Sequence, residues 1–169
     1  MIPSDILRSI LQWLLYVLLH IFVARHLEIF DYAFCFIYIG AVLFLPYELN
    51  LTALLLIAFG TGTIVDSFDN TLGMHIIATV LVAYLRPIII KYQLGQKINE
   101  GRLVLILREL GFVSFLSYTL VLVSVHHTVL FLIEMGNLEL WGYTFLKIVC
   151  SVIFTTSTLL LAQLFARSA

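Results

Sequence analysis

Long apolar runs separated by short polar stretches dominate the chain. An α-helix needs about 20 apolar residues to cross about 30 Å of hydrocarbon, and the hydrophobic pattern predicts about six such segments. The predicted spans are residues 6–24, 32–45, 51–65, 72–90, 110–133 and 140–165. The sequence therefore predicts an all-α fold, a polytopic membrane helix bundle in which residues 1–169 form a single integral membrane domain.

The first apolar run lies near the N-terminus, where a secretory signal would also lie. The run is long, and Phe22 and Ala24 do not form the small-x-small pattern of a cleavage site. We therefore expect an uncleaved membrane anchor.

Composition agrees with a membrane protein. The chain is 62% hydrophobic and 11% charged, whereas soluble domains are about 45–50% apolar and about 25% charged. Its net charge of −1 gives no electrostatic reason to expect nucleic acid as a partner. Cys35 and Cys150 lie inside apolar runs, where free cysteine behaves as a small hydrophobic residue, so we expect no disulfide.

The placement of basic residues predicts the orientation. If the N-terminus is cytoplasmic, seven of the nine Lys and Arg residues face inward, as the positive-inside rule requires. Both termini are therefore expected in the cytoplasm. The inward set is Arg8, Arg86, Lys91, Lys97, Arg102, Arg108 and Arg167, and the outward set is Arg25 and Lys147.

The longest hydrophilic stretch, residues 91–109, joins the fourth and fifth spans. It places Leu103, Leu105, Ile106 and Leu110 at near-helical spacing. This pattern predicts an amphipathic helix at the inner headgroup layer. The alternative is a docking face for a cytoplasmic partner.

Polar residues concentrate between the third and fourth spans. The third span has about 15 residues, or about 23 Å of helix, so Asp66 should lie below the outer headgroups and need hydrogen-bonding partners inside the protein. The expected partners are backbone N–H groups at the start of the fourth span and the nearby polar side chains. Gly60 and Gly62 would let another helix approach closely. Asp69 or Asn70 is expected to cap the fourth span.

Histidines and acids are expected to share one depth, the outer-leaflet half of the bundle. This predicted outer polar layer consists of His20, His75, His126, His127 and Glu134. The spacing matches no metal-ligand motif, so we expect no metal and no cofactor, and favour a polar network that ties the helices together. For Asp66, structural pairing and a functional contact remain equally open.

Motifs for catalysis are missing from the sequence, which has no Gly-x-Ser-x-Gly, no His-Glu-x-x-His and no phosphate-binding loop. Asp66 and Asp69 do not suit an intramembrane aspartyl dyad, since such dyads draw their acids from separate elements. We expect no catalytic residues and a protein that is not an enzyme.

The junction between the third and fourth spans resembles the rod shape-determining protein MreD family. That family has about this length, six predicted spans and a Gly…Asp…Leu-Gly signature that enters the fourth helix. Here the signature reads Gly62-Thr63-Ile64-Val65-Asp66, then Leu72-Gly73, then Ala83-Tyr84-Leu85. Two further strings are similar to MreD proteins of the Bacteroidetes branch, Leu85-Arg86-Pro87 and the run VHHTVLFLIE at 125–134.

This resemblance implies a scaffold of the cell-elongation (rod) complex in the bacterial inner membrane, which regulates cell shape and peptidoglycan synthesis through other proteins. The implied partners are an MreC-like periplasmic protein, an MreB-like actin homologue, and the RodA glycosyltransferase with its transpeptidase partner. The candidate partner-binding or structural junction is Gly60, Gly62, Asp66, Asp69, Leu72, Gly73 and His75.

A second function follows from the same resemblance. The family is similar in fold to the substrate-binding membrane subunit of energy-coupling-factor vitamin transporters. That alternative predicts an outward-facing pocket near Asp66, His75 and His126, although the sequence has no ligand-specific motif. An intramembrane enzyme is a third class, which no motif supports.

Overall fold

Five long helices make up most of the protein. The computed structural model describes residues 3–99 and 103–165. The long helices are α1 (Pro3–Phe22), α3 (Leu51–Asp69), α4 (Met74–Asn99), α6 (Phe112–Glu134) and α7 (Trp141–Leu164). The shorter elements are a hairpin of β1 (Glu28–Ile29) and β2 (Ala33–Phe34), the one-turn helices α2 (Gly40–Leu43) and α5 (Leu107–Leu110), and 3₁₀ turns at Ala24–His26, Ile37–Ile39 and Leu138–Leu140.

The five long helices are each long and apolar enough to cross a membrane. Their outward faces carry large apolar side chains, such as Leu56 (67% exposed), Phe59 (53%) and Ile153 (60%). Contiguous apolar surface of this kind is unfavourable in water and favourable in lipid. The chain is therefore an all-α helical bundle of the membrane class.

The second predicted span, residues 32–45, is wrong as a spanning helix. It contains β2, a 3₁₀ turn and the single turn α2. At 14 residues the run is too short for a helix that crosses the bilayer. It is apolar because protein surrounds it: between Ala33 and Leu45 only Phe34 and Phe36 are half-buried, and the other side chains are buried. We call residues 33–45 the buried segment.

Helices α1 and α3 run in the same direction. Trp13 Nε1 donates to Thr61 Oγ1 at 2.8 Å. Further along both helices, His20 Nε2 lies 3.3 Å from Asp69 Oδ2. The chain must therefore return from the end of α1 to the start of α3.

The buried segment lies on that return path. Tyr38 contacts His75 in the first turn of α4, whereas the carbonyls of Leu43 and Leu45 reach Arg86. His75 and Arg86 are about 16 Å apart along the helix axis, at about 1.5 Å per residue. The segment therefore descends alongside α4 through the interior of the bundle.

Side chains of α7 provide hydrogen-bond partners for the backbone in the first part of the buried segment. The backbone N–H of Phe34 donates to Ser151 Oγ (2.9 Å), and that of Phe36 donates to Thr155 Oγ1 (3.0 Å). Thr155 Oγ1 also donates to the Phe34 carbonyl at 3.2 Å. These bonds replace the helical ladder that the segment lacks, as a buried backbone requires.

Arg86 and Tyr118 provide hydrogen-bond donors for the backbone carbonyls in the last part of the buried segment. Tyr118 Oη (2.8 Å) and Arg86 Nε (3.2 Å) donate to the Leu43 carbonyl, and Arg86 Nη2 donates to the Leu45 carbonyl. Arg86 is 2% exposed, so its predicted place among the inward-facing basic residues is wrong. Of that set, Arg102 and Arg167 lie outside the described residues.

The third and fourth helices are longer than predicted. α3 continues past Val65 to Asp69, and α4 continues past residue 90 to Asn99. The extension of α4 keeps a helical pattern because Ile90 and Leu94, one turn apart, are both buried. The fifth and sixth predicted spans coincide with α6 and α7 within two residues.

The amphipathic surface helix predicted within residues 91–109 is wrong. Its first half belongs to α4, and among the described residues that follow, 103–109, a further helical turn begins only at Leu107 and runs to Leu110. Leu103 and Leu105 are buried in a stretch without helix, since they pack into the core with Leu110.

The two ends of the bundle are named for the segments found there. The end with residues 103–110 is the loop end, and the end where α3 meets α4 is the junction end.

Candidate functional site

Asp66 ties the start of α4 to the end of α3. Its Oδ1 accepts hydrogen bonds from Thr71 Oγ1 (2.6 Å) and the backbone N–H of His75 (3.1 Å). Its Oδ2 accepts one from the backbone N–H of Ile76 (3.0 Å). The predicted partners of Asp66 are therefore present. A carboxylate in this place satisfies first-turn N–H groups that have no helical partner and complements the positive end of the helix dipole.

The predicted capping of α4 by Asp69 or Asn70 is wrong. Asp69 is the last residue of α3, and Asn70 is its C-cap with a left-handed φ of 56°. Asparagine tolerates this conformation better than most residues. Because the turn brings Met74 beside the end of α3, the carboxylate of Asp66 takes the capping role.

The remaining signature residues have different environments. A Cβ on Gly62 would lie 2.6 Å from Ile76 Cα, so the glycine permits close packing of α3 on α4. Gly73 has φ of 89° and forms the turn, whereas a Cβ on Gly60 would meet nothing within 4 Å. Leu72 is fully exposed at the junction end. Gly62 and Gly73 therefore build the junction, and Leu72 is left to surrounding lipid or protein.

Asp69 gathers basic side chains from three elements. Its Oδ2 lies 3.3 Å from His20 Nε2 and 3.8 Å from His75 Nε2, and its Oδ1 lies 3.6 Å from Arg25 Nε. This cluster fixes the end of α1 and its following turn against the junction.

Tyr38 connects two histidines at the centre of the bundle. Its hydroxyl lies 2.8 Å from His75 Nδ1 and 2.6 Å from His126 Nε2, and Thr79 Oγ1 donates to it at 3.4 Å. Because a tyrosine hydroxyl has one proton, it donates to only one of the two imidazoles at a time. The result is a continuous polar chain from Asp69 through His75 and Tyr38 to His126.

His127 and Glu134 lie outside this chain. His127 Nδ1 is 2.9 Å from the Val123 carbonyl, and its Nε2 is 3.1 Å from Thr155 Oγ1. Glu134 accepts two bonds from Lys147 Nζ, at 2.8 and 2.7 Å. The predicted outer polar layer is thus divided between a histidine–tyrosine chain and separate contacts to α7.

A cavity of about 310 Å³ opens at the junction end. Its lining combines charged and aromatic side chains: Arg25, Asp69, Glu134, Lys147, Phe34 and Phe131, with His26, Phe36, Thr71, Met74, His75 and Leu130 completing the wall. Of the three residues named for the pocket of the alternative function, His75 lines this cavity, whereas Asp66 and His126 do not.

Sequence reasoning missed four residues that organise the site. The sequence places Tyr38 in a predicted spanning helix, Arg86 on the inner side of the membrane and Lys147 on the outer side. Lys147 is 8% exposed and lies over the rings of Phe34 and Phe131, at 4.6 and 4.5 Å from their centroids. Arg86 and Lys147 could have been identified from sequence, because each is an ionisable residue inside an apolar run. No local pattern marked Tyr38 or Arg25.

Metal-ligating groups do not converge in the part of the chain that the structure describes: residues 3–99 and 103–165 contain no cluster of three or more His, Cys, Asp or Glu side chains placed to hold an ion. Cys35 and Cys150 are both free thiols.

Comparison with known protein families, curated proteins and solved structures finds no match to this chain. Fold and site together define a helical membrane protein with a polar junction and a charged cavity at one end.

Proposed function

We propose that this protein is a non-enzymatic scaffold of the bacterial cell-elongation (rod) complex, in the role of the MreD family that its sequence resembles. In this role it lies in the cytoplasmic membrane and organises an MreC-like periplasmic protein, an MreB-like actin homologue, and RodA with its transpeptidase partner. The partners synthesise peptidoglycan, and this chain supplies the surfaces that hold them together.

The observation that carries the proposal is the position of the signature residues in the structure. Gly62, Asp66 and Gly73 form the helix junction, and Leu72 extends from it fully exposed. Phe30 (87% exposed) and Phe68 (51%) are further apolar side chains at the same end of the bundle. A rigid turn that presents apolar side chains suits a protein partner better than a chemical reaction.

The proposal includes six crossings of the membrane, five helical and one formed by the buried segment. Irregular backbone is tolerated at membrane depth where protein encloses it, and the shared direction of α1 and α3 supports the additional crossing. Lys91, Lys97 and Arg108 gather at the loop end, which favours a cytoplasmic loop end and a periplasmic junction end. Reporter fusions after Lys97 and after Arg167 should both report cytoplasm.

Affinity purification in mild detergent tests the scaffold role. We expect the tagged protein to recover an MreC-like protein, and Leu72→Ser to reduce that recovery because it removes the exposed apolar contact. Val113→Ser is the matched control, since Val113 is 78% exposed in the first turn of α6 at the loop end. Failure of the wild-type protein to recover rod-complex proteins contradicts the proposal.

The cavity at the junction end is the observation that favours the alternative, a substrate-binding subunit of an energy-coupling-factor transporter. The same purification separates the two functions. Recovery of ATPase subunits with a coupling membrane protein supports the transporter subunit.

A further inference from the structure

We propose that the cavity at the junction end binds a zwitterionic group with a primary ammonium and a phosphate or carboxylate, of the kind found in a phosphoethanolamine headgroup. The inference comes from the cavity alone and does not depend on the scaffold role.

The size and walls of the cavity suit a small polar molecule. Its volume of about 310 Å³ lies at the lower end of the range of small-molecule pockets, about 300–1,000 Å³. The lining comes from the turn after α1, the buried segment, the α3–α4 turn, α6 and α7. Because all of these elements contribute to its wall, the cavity is formed by the packing of the whole bundle at this end.

The charges in the wall favour a ligand without net charge. Arg25 is paired with Asp69 on the side of α3, and Lys147 is paired with Glu134 on the side of α6 and α7. The two cations and two anions cancel. A ligand with net charge would leave an uncompensated charge in a partly enclosed site, at a cost in free energy. A zwitterion adds one charge of each sign and avoids that cost.

Arg25 and Glu134 can each form further hydrogen bonds, to such a ligand, beyond those to their ion-pair partners. Within the described residues, Arg25 contacts Asp69 through Nε at 3.6 Å, so its two terminal nitrogens can donate to an anionic group. The Glu134 side chain is 45% exposed, and a carboxylate has about four acceptor positions. The anion is therefore assigned to Arg25 and the ammonium to Glu134.

The aromatic residues of the wall already hold an ammonium group. Lys147 Nζ lies 4.6 Å from the Phe34 centroid and 4.5 Å from the Phe131 centroid, as in cation–π recognition. A ligand ammonium beside Glu134 would meet the same chemistry. A carboxylate accepts hydrogen bonds from a primary ammonium but none from a quaternary one, which sets phosphoethanolamine above phosphocholine.

Binding of defined lipids to the purified protein tests the site. We would measure binding by native mass spectrometry and by the shift of the thermal unfolding midpoint, with phosphatidylethanolamine, phosphatidylcholine and phosphatidylglycerol as separate probes. Soluble glycerophosphoethanolamine, a phosphodiester with one negative and one positive charge, is a fourth probe, which distinguishes a free solute from a lipid headgroup. We expect phosphatidylethanolamine, or glycerophosphoethanolamine if the natural source is a solute, to bind at least about tenfold more tightly than the other two lipids.

Two variants locate the site. Arg25→Gln and Glu134→Gln should each weaken binding by about tenfold, which corresponds to about 1.4 kcal/mol and to the loss of one charge-assisted hydrogen bond. Lys91→Gln, an exposed change at the loop end, should bind as the wild type does. Circular dichroism confirms that each variant is folded. Equal binding of phosphatidylethanolamine and phosphatidylglycerol, no binding of either ethanolamine probe, or unchanged binding in both variants overturns the proposal.

Discussion

A carboxylate buried among helix ends is stable only while its oxygens accept hydrogen bonds, and Asp66 meets this condition with three donors. Thr71 and the first-turn N–H groups of α4 surround it, and its exposure is 7%. Each donor would in turn lack a partner without the carboxylate. Loss of this carboxylate would therefore destabilise the whole α3–α4 junction.

Replacement of Asp66 should separate shape from hydrogen bonding. Asp66→Leu leaves three donors unsatisfied, and at about 1–3 kcal/mol for each lost partner we expect about 3 kcal/mol or more of destabilisation, lower expression and loss of rod-complex function. Asp66→Asn keeps an acceptor oxygen and should fold. Thermal unfolding in detergent and complementation of cell elongation are the measurements. Glu109→Leu, which changes an exposed carboxylate, is the control; normal folding and full function of Asp66→Leu would leave the junction a simple turn.

The need of Asp66 for internal partners could be predicted from sequence, but the stated reason was incomplete. The prediction assumed a helix that ends at Val65, whereas α3 continues to Asp69. Asp66 is buried because α4 packs closely against it at Gly62. The contacts of Tyr38 could not be predicted, since they join residues 37 and 88 positions apart in the chain.

At the scale of helices, the packing of α3 on α4 depends on the missing side chain at Gly62. Gly62→Ala places a Cβ 2.6 Å from backbone atoms of Ile76, so we expect about 1–3 kcal/mol of destabilisation from overpacking. Gly60 on the same helix is the matched control, because a Cβ there meets nothing within 4 Å. Gly60→Ala should be neutral or stabilising by up to about 1 kcal/mol. Equal unfolding midpoints for the two variants would refute the close contact.

The buried segment depends on Arg86 in a similar way. Arg86→Met removes the donor to the Leu45 carbonyl and one of the two donors to the Leu43 carbonyl, where Tyr118 remains, so local opening should become easier. We expect hydrogen–deuterium exchange of residues 41–45 to accelerate at least about tenfold, the change for about 1.4 kcal/mol of local stability, with little change in α7. Arg108→Met, at an exposed position in α5, is the control. Unchanged exchange in Arg86→Met would show that the Arg86 bonds do not stabilise the segment.

Four of the five long helices were predictable because each has an apolar run of about 19 residues or more, whereas the run in α3 has about 15. The buried segment was not, since apolar composition does not distinguish lipid from surrounding protein. The run has 14 residues, short of a spanning helix, but the run predicted for α3 has only about 15, so length alone did not distinguish the two. The stretch after Asn99 failed for a related reason: near-helical spacing of leucines is also produced by an extended stretch that packs Leu103 and Leu105 into the core.

For the whole molecule, the account rests on a return of the chain through the bundle between α1 and α3. Without this crossing, five helices would place the two ends of the chain on opposite sides of the membrane. In the proposed topology, this crossing places both ends of the chain on the side of the loop end. In the same topology, the exposed Leu72 and the cavity at the junction end would both face the periplasm.

Cysteine labelling on either side of the buried segment tests this return most directly. In a background of Cys35→Ala and Cys150→Ala, single cysteines are placed at Glu28→Cys, in β1, and at Glu48→Cys, before α3; both positions are exposed. A membrane-impermeant maleimide should label Glu28→Cys in intact spheroplasts and Glu48→Cys only after the membrane is disrupted. Labelling of both positions from the same side would contradict the crossing and the orientation built on it.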